Sequence, residues 1–203
     1  PMMRPLLISR VLTLTVCILL LQGCGTTNVQ SSNSFPDLLI KPRPLRAAVV
    51  LTPEFSSYKA VPNKATTLEI GAAQSSILTQ VFSALIDNVT FVESVDTLEQ
   101  PLDIIIRPSV VAVQLAVPSG NYLNVYEVWI KYNLAISDSD DQLLANWFMP
   151  VYGKTADSFM LQKKNAISAA TDIALRDIGA KLAMDFYRIP ALQGYLNDRQ
   201  REQ

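Results

Sequence analysis

The chain has 203 residues, a formal net charge of −1 and 17% charged residues, so it lacks the excess of Lys and Arg that nucleic-acid binding needs. It contains two Cys and no His. The lack of His excludes serine–histidine triads, histidine metal sites and imidazole acid–base chemistry. No cofactor is expected, and no nucleic-acid partner.

The N-terminal stretch is typical of an export signal. Arg4 and Arg10 flank its start, and residues 11–21 carry no charge. This run is shorter than the about 20 residues that cross a bilayer as a helix, but it suits the apolar region of a secretory signal. It ends in Leu21-Gln22-Gly23-Cys24, which resembles the lipobox of bacterial lipoproteins. The resemblance implies cleavage before Cys24 and attachment of lipid to its thiol.

The same resemblance predicts where the protein works. Gly25 follows Cys24, where an Asp would retain such a lipoprotein in the inner membrane, so we expect an outer-membrane anchor facing the periplasm. Cys17 would leave with the signal and Cys24 would carry lipid. The mature domain would then have neither a free thiol nor a disulfide, which suits an oxidising compartment. The predicted segments are a signal peptide (1–23), an acylated Cys with a flexible tether (24–44), a periplasmic domain (45–196) and a charged tail (197–203).

The first half of the domain reads as a strand, a loop and a helix. Residues 46–51 are apolar and predict a buried strand, and residues 54–64 predict a loop. Residues 67–70 are typical of a short strand or of the lead-in to a helix. From Ala73 to Leu85 the apolar residues recur with helical spacing. Residues 89–92 then predict a second strand.

The second half is dominated by long strands. Residues 102–117 predict one strand region, in which Pro108 indicates a bulge or an edge position because it cannot donate a ladder hydrogen bond. Residues 126–136 alternate clearly between two faces. Residues 143–152 are the expected hairpin partner, and residues 163–187 show one apolar helical stripe.

These elements predict the order β-α-β-β-β-β-α, with Pro190 ending the last helix. Two helices with one apolar stripe each need a shared apolar surface, and the even-numbered face of the 126–136 strand offers it. The expected fold is therefore α+β, a two-layer sandwich with both helices on one face of a single mixed sheet.

Three short patterns follow the motif order of penicillin-binding proteins and serine β-lactamases. They are Ser56–Lys59, Ser119–Asn121 and Lys154–Ala156. The first motif must open a buried helix, yet Pro53 and Pro62 bracket a predicted loop. The third lacks the small Gly that lets a substrate pair with the strand. We therefore predict that the protein is not an enzyme.

Nucleotide and metal sites are also not expected. Gly153-Lys154-Thr155 matches the end of a P-loop, but Phe148 stands where the first Gly must be. The acidic segment with Asp138, Asp140 and Asp141 lacks the Gly at position six and the Glu at position twelve of an EF-hand loop. It predicts a solvated hairpin turn.

Two tryptophans are the candidate binding residues. Trp129 and Trp147 are predicted to alternate away from the helix-covered face, on strands that neighbour each other. If that face is open, they form an aromatic platform with Lys131, and such platforms usually bind a partner. The alternative is that the 54–64 loop covers them.

The order of elements behind a lipid-bearing Cys resembles small periplasmic lipoprotein domains. Comparable ones are the YajG-like lipoproteins, the N-terminal domain of TolB and the lipoprotein activators of penicillin-binding proteins. The residues that carry this resemblance are Ile104–Pro108, Tyr126–Tyr132 and the helix from Ala169 to Ala183. It implies a binding or scaffolding role without enzyme activity, and no binding residue can be transferred from it.

We therefore predict a non-enzymatic, outer-membrane-anchored lipoprotein that binds another envelope protein. The alternative is an accessory of lipid or lipopolysaccharide transport, as in lipopolysaccharide assembly or ABC-transport auxiliary lipoproteins. That alternative requires an apolar groove between helix and sheet.

Overall fold

A computed structural model describes residues 26–31, 35–97, 101–158 and 162–201. The predicted signal peptide, including the lipobox and Cys24, lies outside the described residues. The strands are β1 (Thr27–Gln30), β2 (Arg43–Val50), β3 (Lys59–Asn63), β4 (Thr66–Glu69), β5 (Ile86–Val92), β6 (Ile104–Ala116), β7 (Val125–Asp138) and β8 (Leu143–Ala156). The helices are α1 (Pro53–Ser56), α2 (Gly71–Leu85), α3 (Lys163–Asp185) and α4 (Pro190–Arg201).

The strands form two mixed sheets, which confirms the α+β class and corrects the expectation of a single sheet. The larger sheet has the order β5-β2-β6-β7-β8, and the smaller has the order β1-β4-β3. In the larger sheet, β2 runs parallel to β5 and β6, whereas β6, β7 and β8 form an antiparallel meander.

The second sheet arises from the segment predicted as a loop. Thr52 is the N-cap of α1, because its Oγ1 accepts a hydrogen bond from the Phe55 backbone N–H at 3.2 Å. Pro53 occupies the first helical position. Phe55 is buried and draws this part of the chain onto the domain. Pro62 lies in β3, which tolerates it because β3 is an edge strand.

Part of the predicted tether is also ordered. Thr27–Gln30 form β1, which pairs in parallel with β4, and Val29 is fully buried. The Phe35 ring packs closely against Gly179 of α3, where a Cβ added to the glycine would come within 2.1 Å of the ring. The flexible-tether prediction is therefore wrong for these residues, because polar composition alone does not reveal a single buried anchor such as Val29.

Both long helices cover one face of the five-stranded sheet, as predicted. The Tyr132 hydroxyl on β7 donates to Gln74 Oε1 on α2 at 2.8 Å. On the neighbouring strand, Gly153 lies directly under α3, where an added Cβ would come within 2.0 Å of the Ala170 carbonyl oxygen. Glycine is required there because the helix backbone approaches the strand so closely.

Pro108 occupies an edge-like position within a central strand. It pairs with Leu134 on β7, while the β2 ladder reaches only Ile104–Ile106 on the other side of β6. No β2 carbonyl therefore needs a donor at Pro108. The bulge lies slightly further on, between Val110 and Ala112.

The C-terminal end differs from the expected frayed tail. A 3-10 turn follows α3, and Pro190 then begins α4, which continues to Arg201. Leu192 is fully buried and fastens α4 to the domain. Arg199 forms an ion pair with Asp103 at 2.7 Å. The tail prediction is therefore wrong for residues 197–201, because the contacts that order them lie far away in the sequence.

Candidate functional site

The proposed lipid-attachment residue, Cys24, lies outside the described residues, so its modification stays a prediction. Within the described part of the chain, no helix combines the length and hydropathy needed to cross a membrane.

The face of β6–β8 opposite the helices is open to solvent. Its members are the odd-numbered residues Glu127 to Ala135 of β7 and their cross-strand partners. Lys131, Gln114 and Lys154 are exposed on it, and Phe148 keeps 67% of its surface accessible. We call this surface the open face.

An aromatic pair lies on the open face. Trp129 and Tyr152 are directly opposite each other on β7 and β8, with ring centroids 5.0 Å apart. The Tyr152 hydroxyl donates to Glu127 Oε1 at 2.6 Å. Partial burial and the bond to the Glu127 carboxylate raise the pKa of Tyr152 to about 12, so it remains a neutral donor at physiological pH. Lys131 follows Trp129 on the same face, opposite Pro150.

The predicted position of Trp147 is wrong. Trp147 pairs directly with Leu134, which is fully buried beneath the helices. Residues directly opposite on antiparallel strands point to the same face, so Trp147 lies on the helix-covered face. It is partly buried there and packs against the core.

The wrong face was predicted for Trp147 because its neighbour Phe148, which points to the opposite face of β8, is also large and aromatic. Aromatic character alone therefore does not show which of the two faces the core. Met149 and Val151 share the phase of Trp147 and are buried. Pro150 shares the phase of Phe148 and is exposed. The apolar character of Met149 and Val151 is the signal that predicts the correct face.

The outer edge of β8 is closed by side chains of α3. The backbone N–H of Tyr152 donates to Asp177 Oδ2 at 3.2 Å. The Lys181 ammonium group donates to the Pro150 carbonyl oxygen and forms an ion pair with Asp177 at 3.1 Å. These bonds occupy backbone groups that an edge strand otherwise offers to another chain.

A second polar region surrounds Asp103, which is buried immediately before β6. Its Oδ1 accepts from Arg46 Nη2 and pairs with Arg199 Nη2, each at 2.7 Å, and the Arg46 backbone N–H donates to Oδ2 at 2.9 Å. Burial opposes ionisation of Asp103. The bonds from Arg46 and the charge of Arg199 outweigh burial and hold the pKa of Asp103 below its usual value.

A cleft adjoins this cluster. Two cavities of about 460 and 260 Å³ lie beside it, and Arg199 lines both. The guanidinium of Arg43 lines the smaller one and lies 4.1 Å from the centre of the Tyr187 ring. Among the described residues that line the two cavities, three arginines accompany one carboxylate, that of Asp103. The walls also include Leu45, Tyr187 and Leu196. The cleft therefore has the chemistry to bind an anionic group that carries an apolar portion.

Sequence analysis missed this cleft because its charged residues belong to no local pattern. Arg46 lies in β2, Asp103 immediately precedes β6, and Arg199 lies near the end of α4. Only the parallel pairing of β2 with β6 and the docking of α4 bring them together.

The Ser-x-x-Lys pattern does not form a nucleophile and base. Ser56 ends the four-residue helix α1, whereas Lys59 begins β3. The Lys59 ammonium group pairs with Glu69 at 2.8 Å, and Ser56 Oγ accepts from Ser75 Oγ at 3.2 Å. In the P-loop-like Gly153-Lys154-Thr155, Gly153 allows the close approach of α3 to β8.

The acidic segment forms a hairpin turn, as predicted. Asp138 Oδ1 accepts from the backbone N–H groups of Asp140 and Gln142 at 2.9 and 2.8 Å. Asp141 pairs with Arg107 at 2.8 Å. Across the described ranges, no group of three or more metal-ligating side chains comes together.

Comparison with known proteins identifies the fold and no family. No protein-family profile and no curated protein sequence matches the chain. Among solved structures, the fold is similar to that of protein XCC0632 from Xanthomonas campestris, of the domain family DUF330. The two share 14% identity over 87% of this chain and 97% of that one, with a TM-score of 0.52.

Two further structures are less similar. A minor lipoprotein from Acinetobacter baumannii aligns with 71% of this chain and 91% of its own, at 8% identity and a TM-score of 0.45. Lipoprotein B from Nitrosomonas europaea aligns with 86% of this chain and 94% of its own, at 11% identity and a TM-score of 0.43. These two likenesses, with TM-scores below 0.5, bear on neither the family nor the function of this chain. The finer resemblance to YajG-like lipoproteins, TolB and penicillin-binding-protein activators is not confirmed.

Proposed function

We propose that this protein is a non-enzymatic lipoprotein of the bacterial cell envelope. In this proposal Cys24 carries the lipid, the anchor lies in the outer membrane, and the domain faces the periplasm. The domain binds another envelope protein through the open face of β6–β8. The lipobox supports the anchor, and the open face supports the binding role.

The observation that carries the binding role is the Trp129–Tyr152 pair. Aromatic side chains are enriched in the centres of protein interfaces, where they bury a large area at a small entropic cost. Lys131 and Glu127 border the pair and provide charged groups at its rim. Phe148 extends the apolar surface along β8. A partner with a flat, partly aromatic surface suits this arrangement.

Photo-crosslinking in membranes tests the proposal. A photoreactive residue at Lys131 probes the open face directly, and the same residue at Met184, which is 58% exposed on α3, is the matched control. We expect a discrete protein adduct from position 131 and none of the same mass from position 184. Equal adduct patterns from both positions would contradict the proposed binding face.

The cleft beside Asp103 favours a second candidate, the lipid-transport accessory. The apolar groove that this alternative required between helix and sheet is occupied by side chains that are fully buried, such as Ile130, Ile167 and Leu175. The cleft offers a different place, because Arg43 and Arg199 lie beside apolar walls. Guanidinium groups recognise phosphate and carboxylate groups well.

Native mass spectrometry distinguishes the second candidate from the first. The protein extracted from membranes would carry phospholipid or lipopolysaccharide in addition to its covalent lipid. Replacing Arg43 with Gln should remove that adduct, whereas Arg176→Gln on the exposed side of α3 should leave it in place. Lipid adducts that survive in Arg43→Gln would reject the cleft as their site.

A further inference from the structure

The distance between the proposed lipid anchor and the folded domain is short. Only Gly25 and Thr26 separate Cys24 from Thr27, where β1 begins. An extended chain spans at most about 3.6 Å per residue. Thr27 therefore lies within about 11 Å of the residue that carries the lipid. This step rests on the proposed function, because it assumes lipid at Cys24.

The first strand cannot easily detach to lengthen this connection. The Thr27 backbone N–H donates to the Ala65 carbonyl oxygen at 2.9 Å, and Val29 is 1% exposed in the core. The Gln30 carbonyl oxygen accepts from Ser168 Oγ at 2.9 Å. The beginning of β1 is therefore a fixed point of the domain.

The contacts of β1 with α3 show which end of the domain this fixed point occupies. Gln30 contacts Ser168, and the next residue, Ser31, donates to Asp172 one helical turn later. Strand and helix therefore run in the same direction, and Thr27 lies towards the beginning of α3. The exposed residues Lys163 and Lys164 begin that helix.

The β6–β7 loop lies at the same end. Gly153 packs under Ala170, whereas Pro150 binds Lys181, so β8 runs opposite to α3 and finishes near the helix start. Just beyond β8, the Asp157 backbone N–H donates to the Asn124 carbonyl oxygen at 3.0 Å. This bond ties the loop between β6 and β7 to the end of β8.

That loop exposes two apolar side chains in a defined position. Tyr122 and Leu123 have relative exposures of 105% and 69%. Asn121 builds the loop, because its Nδ2 donates to the carbonyl oxygens of Val117 and Val125 at 3.2 and 2.8 Å. The Leu123 backbone N–H in turn donates to Asn121 Oδ1 at 3.1 Å. An apolar pair held outward from the domain suits insertion into a lipid surface.

We propose that this end of the domain, which we call the anchor end, lies directly on the phospholipid surface that holds Cys24. Tyr122 and Leu123 enter the headgroup region, where an amphipathic aromatic ring and an aliphatic side chain are stable. Lys163 and Lys164 face the anionic headgroups, which attract basic side chains near the surface. The bilayer is the occupant because the chain length from Cys24 brings this end to it.

Fluorescence quenching in liposomes tests the docking. In the mature lipoprotein purified from membranes, lipid blocks Cys24, so Leu123→Cys introduces a single free thiol for an environment-sensitive dye. Asp140→Cys is the matched control, in the exposed β7–β8 turn at the opposite end. The length of α3, 23 residues or about 33 Å, separates the two ends.

In vesicles of phosphatidylethanolamine and phosphatidylglycerol with spin-labelled lipids, we expect about fivefold stronger quenching at position 123 than at position 140, because only the dye at position 123 would lie in the headgroup region. Equal, weak quenching at both positions would overturn the proposal.

A second variant tests whether the β6–β7 loop itself holds the domain on the bilayer, or whether the domain is near the bilayer only because Cys24 is anchored there. A dye at Lys64→Cys, in the turn beside Ala65, reports on the anchor end without altering the loop. Adding Tyr122→Ser and Leu123→Ser should lower its quenching about twofold at an unchanged melting temperature, because the apolar contacts with lipid are lost. Unchanged quenching would reject the role of the loop.

The mass of the purified protein distinguishes a failure of the proposed lipid anchor at Cys24 from a failure of the proposed docking on the bilayer. A mass without a diacylglyceryl group would reject the anchor, and with it the proposed function as stated. For protein whose mass shows the lipid, the quenching result bears on the docking of the anchor end alone.

Discussion

The two faces of the β7–β8 hairpin contain similar residues in opposite roles. On the covered face, Tyr132 and Leu134 are fully buried, and Trp147 packs against the core. On the open face, Trp129 stacks on Tyr152 in partial contact with solvent. Aromatic side chains therefore define the interior on one face and a candidate binding surface on the other.

The tyrosine hydroxyls show the same contrast. The Tyr132 hydroxyl donates to Gln74 inside the core, and its burial raises the pKa of Tyr132 well above 10.0. The Tyr152 hydroxyl donates to Glu127 at the surface. Loss of the first bond leaves a buried acceptor without a donor, whereas water can replace the second. The covered face should therefore be sensitive to substitutions that the open face tolerates.

The largest expected effect is at Gly153, where strand and helix meet on the covered face. Gly153→Ala should lower the free energy of unfolding by about 3 kcal/mol, since its Cβ would overlap backbone atoms of α3 that cannot move independently. Gly194→Ala is the matched control, because nothing lies within 4 Å of its added Cβ. It should stabilise α4 by about 0.5–1 kcal/mol. Urea unfolding measures both, and equal effects would contradict the close approach.

The two tryptophans should differ next. Trp147→Ala should cost about 2–3 kcal/mol because it removes packing against the core. Trp129→Ala should cost less than about 1 kcal/mol, since the side chain lies on the open face and loses its ring contact with Tyr152 rather than core packing. Thermal melting of the two variants tests this order, and a larger loss for Trp129→Ala would reverse the assignment of the faces.

A smaller difference is expected between the tyrosines. Tyr132→Phe should cost about 1–2 kcal/mol, because Gln74 Oε1 loses its buried donor. Tyr152→Phe should cost no more than about 0.5 kcal/mol, because water can solvate Glu127. Chemical unfolding at neutral pH measures both values, and similar costs would argue against the difference in burial.

Alkaline pH sharpens the comparison of the tyrosines. An unfolded Tyr ionises near 10.0, whereas folded Tyr132 ionises well above that value. Above pH 10 the unfolded state therefore binds fewer protons than the folded state, and stability falls as pH rises. Tyr132→Phe lacks this loss, so its deficit relative to the natural protein should shrink above pH 10. A constant deficit would indicate that Tyr132 is not shielded from ionisation.

The smallest effect on stability is expected at Lys131. Lys131→Glu should change the free energy of unfolding by less than about 0.5 kcal/mol, because the side chain is exposed. It should nevertheless reduce crosslinking from a photoreactive residue at Gln114 on the open face severalfold, because it reverses a charge beside the aromatic pair. Undiminished crosslinking would remove Lys131 from the binding surface.

Much of the fold followed from periodicity. The alternation over β7 predicted which of its residues lie beneath the helices, and the stripe of α2 predicted its buried side. Both signals are strong because each element has one face in the core and one towards solvent. Short elements were missed. Residues Thr27–Gln30 and Lys59–Asn63 are too few to show a period, and each is a strand only because β4 lies between them.

The candidate site was predictable only in part, since Trp129 and Lys131 could be placed on the open face but their neighbours could not. Alternation fixes the relative faces within one strand, but the register of the hairpin decides which face each residue of the partner strand shares. The β7–β8 register pairs Tyr152 with Trp129 and places Trp147 opposite Leu134. Within β8, the apolar residues Met149 and Val151 share the phase of Trp147 and indicate which of the two adjacent aromatic residues faces the core.

By itself, the sequence determined the α+β class and the faces of β7 and α2, and it predicted an export signal with a lipobox, because these depend on local composition and period. The tertiary structure decided the second sheet, the position of Trp147, the cluster around Asp103 and the end of the domain at which β1 begins. Each of these depends on pairing or docking between segments that lie far apart in the chain. Such contacts are selected by the free energy of the whole packed domain, which no single stretch of sequence contains.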